Sequence, residues 1–168
     1  MVDHATPDAV RHYLERAGHL VQVIADAPDP ERCLAVQLAP DMFDTGFNLA
    51  VGIGFAARAL CPPAGLDVPP LPEPVTLSVL HALHREVTAI IGPINAADLT
   101  RHVEHVAGEA RLSHAPADYI TRFALPNMIF HLTLAYAALR QHGLPLGKAD
   151  FDGLHIYTPR SVRTDICT

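Results

Sequence analysis

The sequence predicts an all-α fold: a four-helix bundle in up-down-down-up order, with a small β-hairpin before the last helix. Three observations point there. Apolar residues recur at helical spacing in four long stretches, near residues 7–27, 42–61, 76–91 and 116–142. A proline-rich crossover, CPPAGLDVPPLPEPV at 61–75, lies between the second and third stretches. It is stiff, extended and long enough to join two helices that run parallel. A segment after residue 100 alternates polar and apolar residues, which is the period of a strand.

The first helix is expected to start at Thr6 as N-cap, with Pro7 in the first helical position. Val10, Tyr13, Leu14, Ala17, Val21 and Ile24 form its stripe, and His12, Glu15, His19 and Gln22 lie off it. The helix ends before Pro28-Asp29-Pro30, and residues 30–38 carry a short helical turn with Cys33 and Leu34. Asp41 is the expected cap of the second helix, which is apolar all round and so buried on most sides. Its interior glycines, Gly46, Gly52 and Gly54, each cost roughly 1 kcal/mol against alanine, so close packing, a dimer contact or room for a ligand must justify them.

The third helix shows Leu77, Leu80, His84, Val87 and Ile91 on one face and ends at Gly92-Pro93. One helical turn from Asn95 and a hairpin over 101–114 follow, turning at Ala107-Gly108-Glu109. His102, His105 and His114 fall on the hairpin and read as a solvated ladder. The last helix has an apolar stripe of Phe123, Phe130, Leu134, Ala137 and Ala138, with Gly143 as its stop. Pro126 has no N–H for the carbonyl of Arg122, so a kink is expected over 122–126. Residues 144–153 fold back as a clasp anchored by Phe151, and 154–168 form a C-terminal extension to a 1–153 domain.

A chain of 168 residues is large enough for one real core. Charged residues make up 18%, below the ~25% that is usual. That scarcity, with the apolar second helix, predicts a homodimer with an apolar interface. The net charge of −6 argues against nucleic acid or an anionic membrane as partner. No stretch reaches the ~20 apolar residues of a membrane span. The three cysteines form no CxxC pair, and the N-terminus MVDHATPDA is polar, so a reducing cytoplasm is the expected compartment.

Two runs, LAPDMF at 38–43 and FALPNMIFHLTLAYAALRQHGLPLGKADF in the last helix and clasp, resemble an uncharacterised bacterial and fungal family grouped with the DinB/YfiT-like bundles. The resemblance spans roughly residues 5–153. It implies the up-down-down-up bundle, often dimeric, and no established activity. Many DinB-like proteins hold a divalent metal with three histidines from the middle and last helices. Here the last helix offers Asn127 and His131 instead of a histidine pair, and the second helix offers Gly52, Gly54 and Phe55. Asn is a poor ligand for the transition metals such sites hold. No metal and no other cofactor is therefore expected.

No nucleophile elbow, Walker A loop, dinucleotide fingerprint or HExxH zinc motif occurs. Any acid–base chemistry then falls to a histidine. Asn127 and His131 are four apart and share a helix face. One reading makes them satisfied core residues. The other makes them the wall of a pocket opened by the bend at Pro126. In it His131 is the acid–base group, Asn127 and Asn48 are ligand contacts, His84 is the opposite wall, and Gly52 or Gly54 is the floor. The function expected first is a metal-free bundle that binds a small apolar molecule, with isomerase, cyclase or dehydratase chemistry at His131. The alternatives are a non-catalytic structural or interaction dimer and a metal-dependent DinB-like transferase.

Overall fold

The structure, a computed structural model, describes residues 2–156. Of the predicted 154–168 extension, residues 157–168 lie outside that range, as does Cys167. The fold is mostly helical, with one two-stranded antiparallel hairpin.

Helix α1 spans Ala5–Ala25 and buries Val10, Leu14, Ala17, Leu20, Val21 and Ile24, close to the expected stripe. Its start differs from expectation. Thr6 is inside the helix, and the carboxylate of Asp3 accepts from both the Thr6 N–H (3.0 Å) and the Thr6 hydroxyl (2.9 Å). A carboxylate three residues upstream satisfies the orphan donor and also answers the helix dipole. Asp29 caps α2, Pro30–Leu34, through the Arg32 N–H, and Cys33 and Leu34 are buried there.

Helix α3, Thr45–Ala64, is the centre of the molecule: it packs on α1, on α4 (Leu77–Ile91) and on α6 (Leu125–Gln141). Its cap is Asp44, accepting from the Phe47 N–H at 2.7 Å, and not Asp41. Asp41 lies in a turn closed by the Met42 N–H on the Ala39 carbonyl, and extended backbone at Asp44 supplies the N-cap geometry. The helix also runs past the expected end at 61, through Pro62 and Pro63, to Gly65 in the left-handed region. The Pro63 carbonyl there accepts from the backbone N–H groups of Thr100 and Arg101.

Thr76 caps α4, and Arg11 reaches from α1 to the carbonyls of Ile91, Gly92 and Ile94 at its other end. After a 3-10 turn at Ala96–Asp98 come β1, Val103–Ala107, and β2, Ala110–His114, paired from Val103↔His114 to Ala107↔Ala110. Gly108 turns the hairpin with φ +61.

The expected kink takes the form of a π-helical segment. Residues Pro116–Asp118 form α5, Tyr119–Ala124 are π-helical, and α6 follows. Ile120, Ala124, Met128 and Leu132 are all buried. They are four residues apart, a spacing that drifts around a regular α-helix but is absorbed where bonds run five residues back, as from the Leu125 N–H to the Ile120 carbonyl. Of the predicted stripe only Ala138 is buried. Met128, Leu132, Ala135, Ala138 and Leu139 face the core, and Phe130 is 56% exposed.

Helix α7, Lys148–Asp152, is the clasp. It is tied to α1 by His12 Nε2 on the Asp152 carbonyl (2.8 Å) and His19 Nε2 on Asp150 (2.9 Å), and Phe151 lies against Tyr13 and Tyr136. Among the described residues no helix is long and apolar enough to cross a membrane.

Candidate functional site

The two sequence runs that mark the chain meet through one side chain. Asn48, in the first turns of α3, is 2% exposed. Its amide Nδ2 donates to the carbonyls of Phe43 (3.0 Å) and Asp44 (2.8 Å). Those two acceptors use both amide hydrogens, so the amide cannot be flipped without setting oxygen against oxygen. Oδ1 therefore points to α6, where His131 Nδ1 lies 2.9 Å away. An amide oxygen only accepts, so His131 Nδ1 carries the proton and Nε2 holds the lone pair in the neutral ring. Burial pushes the His131 imidazole below its ordinary pKa, which favours that neutral form near pH 7. Nε2 makes no hydrogen bond to a described residue and is not wholly enclosed, in a side chain that is half-buried.

Rings continue outward from this pair. Phe55 of α3 is stacked with His131 at 6.0 Å between centroids, and Phe130 meets His131 edge-on at 5.2 Å. Phe55 meets Phe123 of the π-helical segment at 5.9 Å, and Phe123 lies 4.1 Å from His105 of the hairpin and 5.6 Å from Tyr119. The Arg58 guanidinium sits 5.5 Å from the Phe55 ring centroid. Burial pushes the Tyr119 phenol up, partly offset by Arg58. His105 Nε2 lies 3.1 Å from His114 Nδ1, and burial followed by the neighbouring His114 lowers the His105 pKa. The predicted solvated ladder is thus corrected: His105 and His114 are half-buried and paired with each other, and His102 is exposed but precedes β1.

The other predicted site residues have different settings. Asn127 Nδ2 donates back to the Phe123 carbonyl at 2.7 Å, so its amide serves the distorted turn before it. A Cβ at Gly52 would lie 2.8 Å from Leu132 Cδ2, and one at Gly54 would lie 2.9 Å from Leu71 Cδ2. Both glycines admit protein side chains, one from α6 and one from the crossover. His84 faces α1, with Nε2 3.0 Å from the Leu14 carbonyl and its ring over Gly18. Of the predicted set the structure joins only Asn48 and His131. Sequence reading missed Arg58, although it is the one charged residue of α3, and missed Gly18.

The residues present do not suit the three-histidine metal arrangement that a DinB-like fold implies. The partner of His131 is a neutral amide, Asn127 is committed to backbone, and among the described residues no three His, Cys, Asp or Glu side chains converge. A cleft of about 540 Å³ lies between the C-terminal ends of α1 and α6, near Cys33 and Pro145, and one of about 430 Å³ lies on the hairpin beside His105. His131 lines neither.

No curated protein matches the chain. Among solved structures, the crystal structure of a DinB family member protein from Shewanella denitrificans is similar, with a TM-score of 0.76 and 22% identity over 90% of this chain and 94% of that one. At that identity the likeness shows a shared fold. Residues 5–152 match the family described as a domain of unknown function, DUF1993, and the chain belongs to that family.

Proposed function

We propose that this protein binds a small, largely apolar molecule beside His131 without a metal ion, and that Nε2 is the group that accepts a proton or hydrogen bond from it. The observation that carries this reading is the orientation of Asn48. Two backbone carbonyls fix its amide, the amide fixes the His131 tautomer, and the remaining lone pair is left open. A histidine kept neutral, with its tautomer locked from behind, is prepared for proton transfer near neutral pH. Isomerase, cyclase or dehydratase chemistry needs such a group. The reading assigns residues 1–153 to one up-down-down-up domain and 154–168 to an extension.

The test is nitrogen NMR of the His131 ring, with a panel of apolar ligands titrated into the full chain. The expected result is an Nδ1–H tautomer and ligand-dependent shifts of Nε2, with binding lost in a folded His131→Ala protein. If His131→Ala unfolds the chain and no ligand moves the ring resonances, His131 is a core histidine and the reading fails.

A second reading, a non-catalytic homodimer, is favoured by the exposed rings of Phe43 (61%), whose carbonyl accepts from Asn48, and Phe130 (56%), which meets His131. Sedimentation as a monomer at micromolar concentration would remove it.

A further inference from the structure

Arg58 is out of keeping with its helix. Every other residue of α3 is buried or half-buried, and Arg58 alone is exposed and alone is charged. The side chain does not extend freely into solvent. It folds back one turn, so that its guanidinium lies 5.5 Å from the centroid of Phe55, the ring stacked with His131. Among the described residues no carboxylate pairs with it. In a chain with a net charge of −6, the Arg58 guanidinium and the His131 ring thus both lie against the Phe55 ring. Half-buried Phe123 and exposed Phe130 supply the apolar ring surface around the pair.

We infer that the ligand at His131 is a planar conjugated carboxylate, its carboxylate held by Arg58 and its ring system lying along the Phe123 and Phe130 side chains. This rests on the reading of His131 as a ligand site and adds the chemical class. A guanidinium presents paired N–H donors that match a carboxylate fork. Held over an aromatic ring, it is less free to turn away, so less rotamer freedom is lost on binding. A conjugated body suits the surrounding rings, which favour offset or edge contacts with another π-system. A carboxylate at one end and an accepted proton or hydrogen bond at the other would fix both the position and the direction of such a molecule.

The probes are 2-naphthoate and its neutral counterpart 2-naphthamide, each titrated into the full chain while the His131 ring resonances are followed. The expected result is that naphthoate binds about tenfold tighter than naphthamide, a preference that Arg58→Gln removes and that added salt narrows. Equal binding of the two probes, or a preference that survives Arg58→Gln, overturns the carboxylate assignment and leaves the ligand site standing. If neither probe moves the His131 resonances, the assignment and the site fall together. Should Arg58→Gln fold poorly, the salt dependence of the wild-type preference decides the same question: a preference unmoved by salt overturns the role of charge.

Discussion

His84 and His131 both cross from one helix to another, but they end on different kinds of acceptor. His84, on α4, ends on the backbone carbonyl of Leu14; His131, on α6, ends on the side-chain oxygen of Asn48. Burial lowers the pKa of both rings, so both are neutral near pH 7. Their tautomers are opposite. The carbonyl of Leu14 requires the proton on Nε2 of His84, while Asn48 requires it on Nδ1 of His131. His84 also fills a notch: a Cβ on Gly18 would lie 2.5 Å from its Nε2 and 2.7 Å from Cε1. His131 has its second nitrogen on the side away from its partner. The contrast teaches that a half-buried histidine is a packing piece when its inward nitrogen meets backbone in a glycine notch. It becomes a candidate site when a dedicated side chain holds it and the second nitrogen is open.

Replacing the dedicated partner should have the largest effect. Asn48→Leu leaves the Phe43 and Asp44 carbonyls and the His131 Nδ1–H without their amide, at a cost of about 3 kcal/mol, since unsatisfied buried groups cost about 1–3 kcal/mol each and water can reach some of them. Urea titration measures it. NMR on the remaining folded protein should show the two His131 tautomers mixing. A cost under about 1 kcal/mol with an unchanged tautomer would mean that Asn48 does not hold the ring.

The notch at His84 should respond next. Gly18→Ala forces the imidazole aside and should cost about 2 kcal/mol, the range of overpacked cores. With His84→Ala as background the same change should become neutral or stabilising, because alanine is then better than glycine in the helix by about 1 kcal/mol. A double-mutant cycle reads this coupling directly. Additive effects would show that His84 and Gly18 are not in the contact described.

The smallest effect is on pH dependence, and it sharpens what the two histidines share. His84, His105 and His131 are all held below their ordinary pKa by burial, with His81 adding to the first and His114 to the second. The unfolded chain takes up protons near pH ~6.5 while the folded chain resists. Their contribution to stability is therefore full above that pH and is lost as pH falls toward the lower folded values. The Tm should drop by a few degrees from about pH 7.5 to about pH 5.5. A flat or rising Tm across that window would contradict the sign.

Much of the architecture was legible in local residue patterns. Four helices, the crossover, the hairpin with its Gly108 turn and the clasp at Phe151 all lie close to where periodicity and turn residues put them. Errors were of two kinds. Caps were misassigned by a few residues, because Asp3 competes with Thr6, and Asp44 with Asp41, and backbone geometry decides which carboxylate reaches the free N–H groups. Of the stripe expected on the last helix only Ala138 is buried, because the face of α6 that meets the core is chosen by its packing on α3, and the π-helical segment before it leaves no trace in a count based on 3.6 residues per turn. The candidate site shared that fate. Asn48 and His131 were both expected at the ligand site, but their pairing spans 83 positions and depends on how α3 and α6 are rotated against each other.

The sequence alone determined the class of fold, the family, the absence of recognised catalytic motifs and the short set of polar residues from which a site could be built. The family rests on the resemblance of two runs, and the rest are properties of one chain segment at a time. Only the tertiary structure decided which acceptor each histidine meets, which glycine admits which side chain, and that the one charged residue of α3 folds back over Phe55 near His131. These depend on the relative rotation and closest approach of helices distant in sequence. The closest approaches run over Gly18, which meets His84 of α4, and Gly52, which meets Leu132 of α6, while a π-helical segment precedes α6.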